Sequence, residues 1–204
     1  MVRLPHPSTY KQKIDPAYNA RKAAQIIAFF ATKEGGRINI LKAMKLVYLS
    51  DRKSIQESGF PMLEEPRCSM PHGPVNSTTY DFAKGVYTAE ISDEEGWSEF
   101  LKEVKNYNIA TARKFSVSDF DELSVAEVQY LEALWEDFGH MNQYQLKDWT
   151  HDKKNVPEWE DPCGGSASIP LSRILGYVGI EDSNEQEEMI DDYAQIDKLF
   201  ASLN

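Results

Sequence analysis

Apolar positions recur at helical spacing over most of the chain. Ala20, Ala23, Ala24, Ile27, Phe30 and Ala31 form the first such stripe, with Asp15-Pro16 in front as N-cap and first-turn proline and Gly35-Gly36 behind as a stop. Ile26 and Phe29 widen the apolar surface, so this helix should be central. A second helix is expected from about Asn39 to Glu57, with Leu41, Met44, Tyr48 and Ile55 on one stripe, Ile40 and Val47 beside it, and Gly59 ending it. Asp51 lies between Tyr48 and Ile55, at or near this apolar face, and a carboxylate there needs a partner. Arg52, Lys45 or a residue of the following loop could supply it.

The segment Phe60 to Val75 carries Pro61, Pro66, Pro71 and Pro74, which exclude a helix and leave room for a short extended piece around Arg67 to Met70. Asn76 or Ser77 then opens a helix through Tyr80, Phe82 and Val86. Trp97, Phe100, Leu101 and Val104 have helical spacing, whereas Tyr107 to Val117 alternates, so a small two-stranded element is expected here. In the second half Ser124-Val-Ala-Glu127 is a capping box, Leu123 and Val128 are placed as a hydrophobic staple, and Val128, Leu131, Trp135 and Phe138 form a stripe ending at Gly139. Asn142 to Gln145 repeats the capping pattern for a shorter helix ending near His151. A loop from Pro157 to Gly165 precedes a helix from about Pro170 to Val178. The last helix starts at Ser183, with Met189, Tyr193, Ile196, Phe200 and Leu203 on one face. The fold class is therefore mainly α: a compact domain of about seven helices with a small two-stranded β element. Residues 1–14 read as an extended or disordered leader, 15–180 as the helical domain, and 181–204 as an acidic amphipathic helix packed on or extending from it.

Charge changes this picture at one end. The chain has 33 acidic and 22 basic residues, a net charge of −11, which disfavours nucleic acid and anionic membranes as partners. Glu181 to Asp197 holds Glu181, Asp182, Glu185, Glu187, Glu188, Asp191, Asp192 and Asp197 without Lys or Arg. Such a run is either a solvated helix face or a docking surface for a basic partner. No apolar run approaches the roughly 20 residues that span a bilayer, and no apolar signal core follows the first charged residues, so a cytoplasmic location is expected. Two cysteines, Cys68 and Cys163, require no disulfide framework.

Candidate chemistry is sparse. Cys68, Ser69 and His72 are neighbours in one loop, and a hydrolase or metal-dependent enzyme centred on Cys68, His72 and Asp51 is the catalytic alternative. A loop-closing hydrogen bond is the simpler role for His72. Cys68-x3-His72 is the nearest approach to metal-ligand spacing and has no second half; no Walker-type or Rossmann glycine pattern occurs, so neither metal nor cofactor is implied. The paired carboxylates Glu64-Glu65, Asp93-Glu94-Glu95 and Asp191-Asp192 read as surface. Trp135, Trp149 and Trp159 read as core with satisfied indole N–H groups, the alternative making Trp159 or Trp97 an interface anchor.

Three stretches carry a resemblance. Lys45-Leu46-Val47-Tyr48-Leu49-Ser50-Asp51-Arg52, Met70-Pro71-His72-Gly73-Pro74-Val75 with Tyr80-Asp81, and Leu146 to His151 followed by Trp159 resemble, in order and spacing, the Panacea or SocA-like antitoxin domain found in bacteria and their phages. The match covers about residues 17–180. The resemblance implies a compact, mostly helical antitoxin without catalysis, which binds and neutralises a protein toxin encoded in the same operon. It makes Asp51-Arg52 the pair that closes the second helix and His72-Gly73-Pro74 the loop packed after it. A structural latch of Asp51, Arg52, His72, Gly73 and Pro74 is expected, in which Gly73 permits a turn, Pro74 fixes the chain, and His72 or Arg52 satisfies Asp51. The leader and the helix after Ser183 lie outside the matched core, so Glu187, Glu188, Asp191, Asp192, Tyr193 and Phe200 are the candidate partner-binding residues. A phage or host accessory protein on the same fold is the further alternative.

Overall fold

The computed structural model describes residues 14–201; the leader expected at 1–14 lies outside the described residues apart from Ile14, as does Leu203. Eight helices and two small sheets make up the described chain, a mainly α fold as the apolar periodicity predicts. α1 (Ala20–Lys33) is buried on nearly all sides, with Ala23, Ala24, Ile26, Ile27, Ala28, Phe30 and Ala31 out of contact with solvent. It begins later than Asp15-Pro16 suggests. Asp15 Oδ1 accepts from Ala17 N in a turn, and the N-cap is Asn19, whose side chain accepts from Lys22 N.

β1 (Arg37–Asn39) leads into α2 (Ile40–Ser58), which Asn39 caps and Gly59 ends in the left-handed conformation at φ 79°. α2 is the axis of the fold: it meets α1, α5, α6 and α7 and one edge of the sheet described next. β2 (Arg67–Met70) and β3 (Gly73–Asn76) form an antiparallel hairpin whose other edge takes β5 (Ala167–Ile169), in the order β3-β2-β5. α3 (Ser77–Ala83) follows directly.

The helix expected over 97–104 does not form. A six-residue helix, α4 (Ala89–Glu94), capped by Thr88, ends before it at Gly96. Trp97, Phe100 and Leu101 are buried, but after one turn, in which Phe100 N and Leu101 N donate to Trp97 O, the backbone pairs with the next strand: Lys102 N donates to Ala110 O and Ala112 N to Phe100 O. The strand in this region is β4 (Asn108–Ala110), and its partner is β1, with Ile38 facing Ile109. Thus the two-stranded element is long-range, joining residues some 70 positions apart that no local pattern couples.

After a single 3₁₀ turn (Val117–Asp119), α5 (Val125–Phe138) and α6 (Gln143–His151) start at capping boxes, Ser124 with Glu127 and Asn142 with Gln145. α7 (Leu171–Val178) stops at Gly179, and α8 (Ser183–Ala201) packs on α7. Among the described residues no helix is long and apolar enough to cross a membrane.

Candidate functional site

The most unusual feature of the core is its polar content. Asp51, three residues beyond Tyr48 on α2, is 1% exposed, and Arg67, the first residue of β2, is 6% exposed. Asp51 Oδ1 accepts from Met62 N at 2.8 Å and Leu63 N at 3.1 Å, which folds the proline-rich segment back over α2. Its Oδ2 accepts from Arg67 Nε and, at 3.3 Å, from Asn76 Nδ2. The remaining Arg67 nitrogens donate to Glu65 O and Leu63 O, so each nitrogen of the buried guanidinium has an acceptor. Burial opposes the Arg67 charge, but the Asp51 carboxylate beside it overrides this and raises the guanidinium pKa further.

Glu65 extends the network. Its Oε2 accepts from Thr79 N at 2.8 Å and its Oε1 from Thr79 Oγ1 at 2.6 Å and Asn76 Nδ2 at 3.3 Å, leaving Tyr18 to donate its hydroxyl to Thr79 Oγ1. Complete burial pushes the Glu65 carboxyl up to about 7; the Thr79 donors pull against this and the nearby Asp51 charge adds to it. A second cluster adjoins the first on α2. Glu158, fully buried, accepts at Oε1 from Tyr48 OH at 2.9 Å and Arg52 Nε at 2.7 Å. Burial, then the Glu158 charge, raises the Tyr48 phenol well above its ordinary pKa.

The hairpin turn is seated by close contact and by hydrogen bonds to its backbone, one of them from His151 to the His72 backbone, rather than by the His72 side chain. Gly73 has φ +94°, and a Cβ there would lie 2.9 Å from Thr150 Oγ1 and 3.1 Å from both His151 Cδ2 and Lys45 Cε. Only glycine fits both the backbone and the space. Lys45 Nζ donates to Pro74 O at 2.6 Å in a fully buried setting, and burial brings its pKa down to about 7. His151 stacks on Trp159 at 4.2 Å, and Trp159 Nε1 donates to Met70 O at 3.1 Å.

These positions correct several expectations. Of the partners offered for Asp51, the following loop is the one that supplies them, through Met62 N, Leu63 N and Arg67; Arg52 and His72 do not, Arg52 serving Glu158 and His72 being exposed in the turn. Glu65 is core, unlike the surface carboxylates Asp93, Glu94 and Glu95. Trp97 and Trp159 are buried, so neither is an exposed anchor. Cys68 is a half-buried free thiol whose Sγ accepts from Ser77 Oγ, and among the described residues no hydrogen bond joins it to Asp51 or His72. Sequence reasoning missed Glu65, Arg67, Asn76, Thr79 and Glu158. The one available signal was the alternation of Arg67 and Ser69 inward in a strand, which put an arginine on the buried face.

α8 presents a different surface. Ile190 is its buried anchor at 4% exposure, and Gln186 Nε2 donates to Gly59 O at 3.0 Å. The stripe of Met189, Tyr193, Ile196 and Phe200 faces outward, not into the core, at 38%, 53%, 47% and 62% exposure. Glu188, Asp191 and Asp192 are also exposed, while Glu187 is half-buried. Glu187 and Asp191 line a cleft of about 300 Å³ beneath the helix, shared with Arg67, Ile190 and Lys198.

No curated protein and no solved structure matches the chain. The family described as "Antitoxin SocA-like, Panacea domain" matches residues 43–160, more than half of the sequence. That span runs from the buried face of α2 through the hairpin and α6 to Trp159 and Glu160, and so contains the network from Asp51 to Glu158 apart from Tyr18. By this match the chain belongs to the SocA-like antitoxin family of Panacea-domain proteins.

Proposed function

We propose that this protein is the antitoxin of a toxin–antitoxin pair, acting in the cytosol without catalysis by binding a protein toxin encoded next to it. Family membership supports the antitoxin role. The observation that carries the non-catalytic reading is the saturation of Asp51: four protein donors occupy its two oxygens, leaving no lone pair directed at a substrate. On this reading the motif residues Asp51, Gly73 and Pro74, with Arg67 and Glu158, hold α2 and the hairpin together as a latch, and Arg52 braces Glu158. Residues 15–180 form the scaffold, and the helix from 181 onward supplies the chain's own specificity through Glu187, Glu188, Asp191, Asp192, Tyr193 and Phe200.

The test is expression of the adjacent small open reading frame, alone and beside this chain. Growth arrest alone, relief on co-expression and co-purification of the two proteins are the expected results. Relief without a physical complex would contradict direct neutralisation, and a harmless neighbour would contradict the pairing.

A further inference from the structure

The exposed stripe of α8 has a regular spacing. Met189, Tyr193, Ile196 and Phe200 follow one another by four, three and four residues, the alternation of a two-heptad coiled-coil seam, over about 17 Å of helix. Taking Tyr193 as an a position places Met189 and Ile196 at d and Glu185, Asp192 and Leu199 at the flanking g positions, all exposed. The e positions on the other flank are Ile190 and Asp197; Ile190 is sealed in the core, and Phe60 stands there as a wall with its ring 6.2 Å from that of Tyr193. From Glu185 to Tyr193 the seam therefore has one closed apolar side and one open acidic side.

We propose that this seam is a docking site for an amphipathic helix of the partner, with aliphatic residues on its inner stripe and Lys or Arg along the edge facing Glu185 and Asp192. That the partner is the toxin rests on the antitoxin reading; that the occupant is a basic helix rests on the geometry and charge of α8. A second copy of this chain fits poorly. An antiparallel pair would set Glu185 and Asp192 against the same carboxylates of its partner, and a parallel pair would need the e position at Ile190, which the core already holds. The net charge of −11 per copy opposes self-association further, and favours a cationic partner by steering.

The probe is a synthetic helical peptide of about 18 residues with Leu at a and d and Lys at e and g, long enough to hold a helix on the seam. It is titrated into the full chain by calorimetry, beside a scrambled peptide of equal composition and a peptide with Glu at e and g. We expect the patterned basic peptide to bind at least about tenfold tighter than either control. Ile196→Glu and, separately, the charge reversal Glu185→Lys with Asp192→Lys should each weaken it by about tenfold or more. Both sites are exposed, so thermal unfolding should stay near that of the wild type. Equal binding of the scrambled peptide, or unchanged binding by both variants, would overturn the proposal. So would a dimer that Ile196→Glu converts to monomer, or a tenfold gain in affinity on removing residues 1–13, since each would assign the seam to another occupant. Patterned-peptide binding in a chain whose neighbour is harmless would uphold the seam and refute the antitoxin reading instead.

Discussion

Asp51 gathers two backbone amides, a guanidinium and an amide side chain, and its removal would strand all of them. Asp51→Ala should destabilise the fold by roughly 3–5 kcal/mol, because it leaves the buried Arg67 charge without its counter-ion; urea unfolding measures this, and a loss below about 1 kcal/mol would deny the pair a structural role. Gly73→Ala should lose about 1–3 kcal/mol from the positive φ alone, with crowding against Thr150, His151 and Lys45 added. Two buried groups make stability depend on pH in opposite directions. Glu65 titrates near 7 in the fold against an ordinary 4.5, so between these values the folded chain holds a proton that the unfolded chain has lost. Its contribution is complete below about 4.5 and is lost as pH rises through about 7. Lys45 titrates near 7 against an ordinary 10.5, so the unfolded chain is the one holding the extra proton, and stability rises from about pH 7 to about 10.5. Urea midpoints across this range should show the acid-side slope flattened in Glu65→Gln and the alkaline-side slope flattened in Lys45→Met. Unchanged slopes would mean that the two groups are hydrated.

At the scale of elements, local grammar was the most legible part of the chain. Ser124 with Glu127 and Asn142 with Gln145 announce α5 and α6 because the capping hydrogen bonds are confined to four residues. Ser124→Ala should accordingly lower stability by about 1 kcal/mol in the same unfolding assay. What the sequence hid was long-range. The pairing of β1 with β4 depends on strands that lie far apart in the chain, and Trp97 to Val104 mimics a helix because its buried residues happen to fall at helical intervals in a turn. The candidate site was half legible for the same reason. Asp51 stands on a readable helix face, whereas its true partner, Arg67, approaches from a hairpin beyond a proline-rich loop, and Arg52 was merely the nearest cation in the chain. In α8 the regular apolar stripe points outward, and the core is met instead by Ile190 and the Gln186 hydrogen bond to Gly59. Removal of residues 183–204 should leave a cooperatively folding core that no longer neutralises the toxin; neutralisation by the truncated chain would move the partner surface elsewhere.

Across the whole molecule, the account divides interior from exterior: the buried polar residues set the architecture, and recognition belongs to the outer surface. The two roles separate most directly in the double variant Asp51→Asn, Arg67→Met, which removes both charges while keeping an acceptor for Met62 N and Leu63 N. Its unfolding curve and its neutralisation of the neighbouring toxin should be measured together. The account predicts a cooperatively folded protein that binds and neutralises the toxin at temperatures where it remains folded. A variant that folds with wild-type stability yet neither binds nor neutralises would contradict it, and would make the Asp51–Arg67 pair part of the working site.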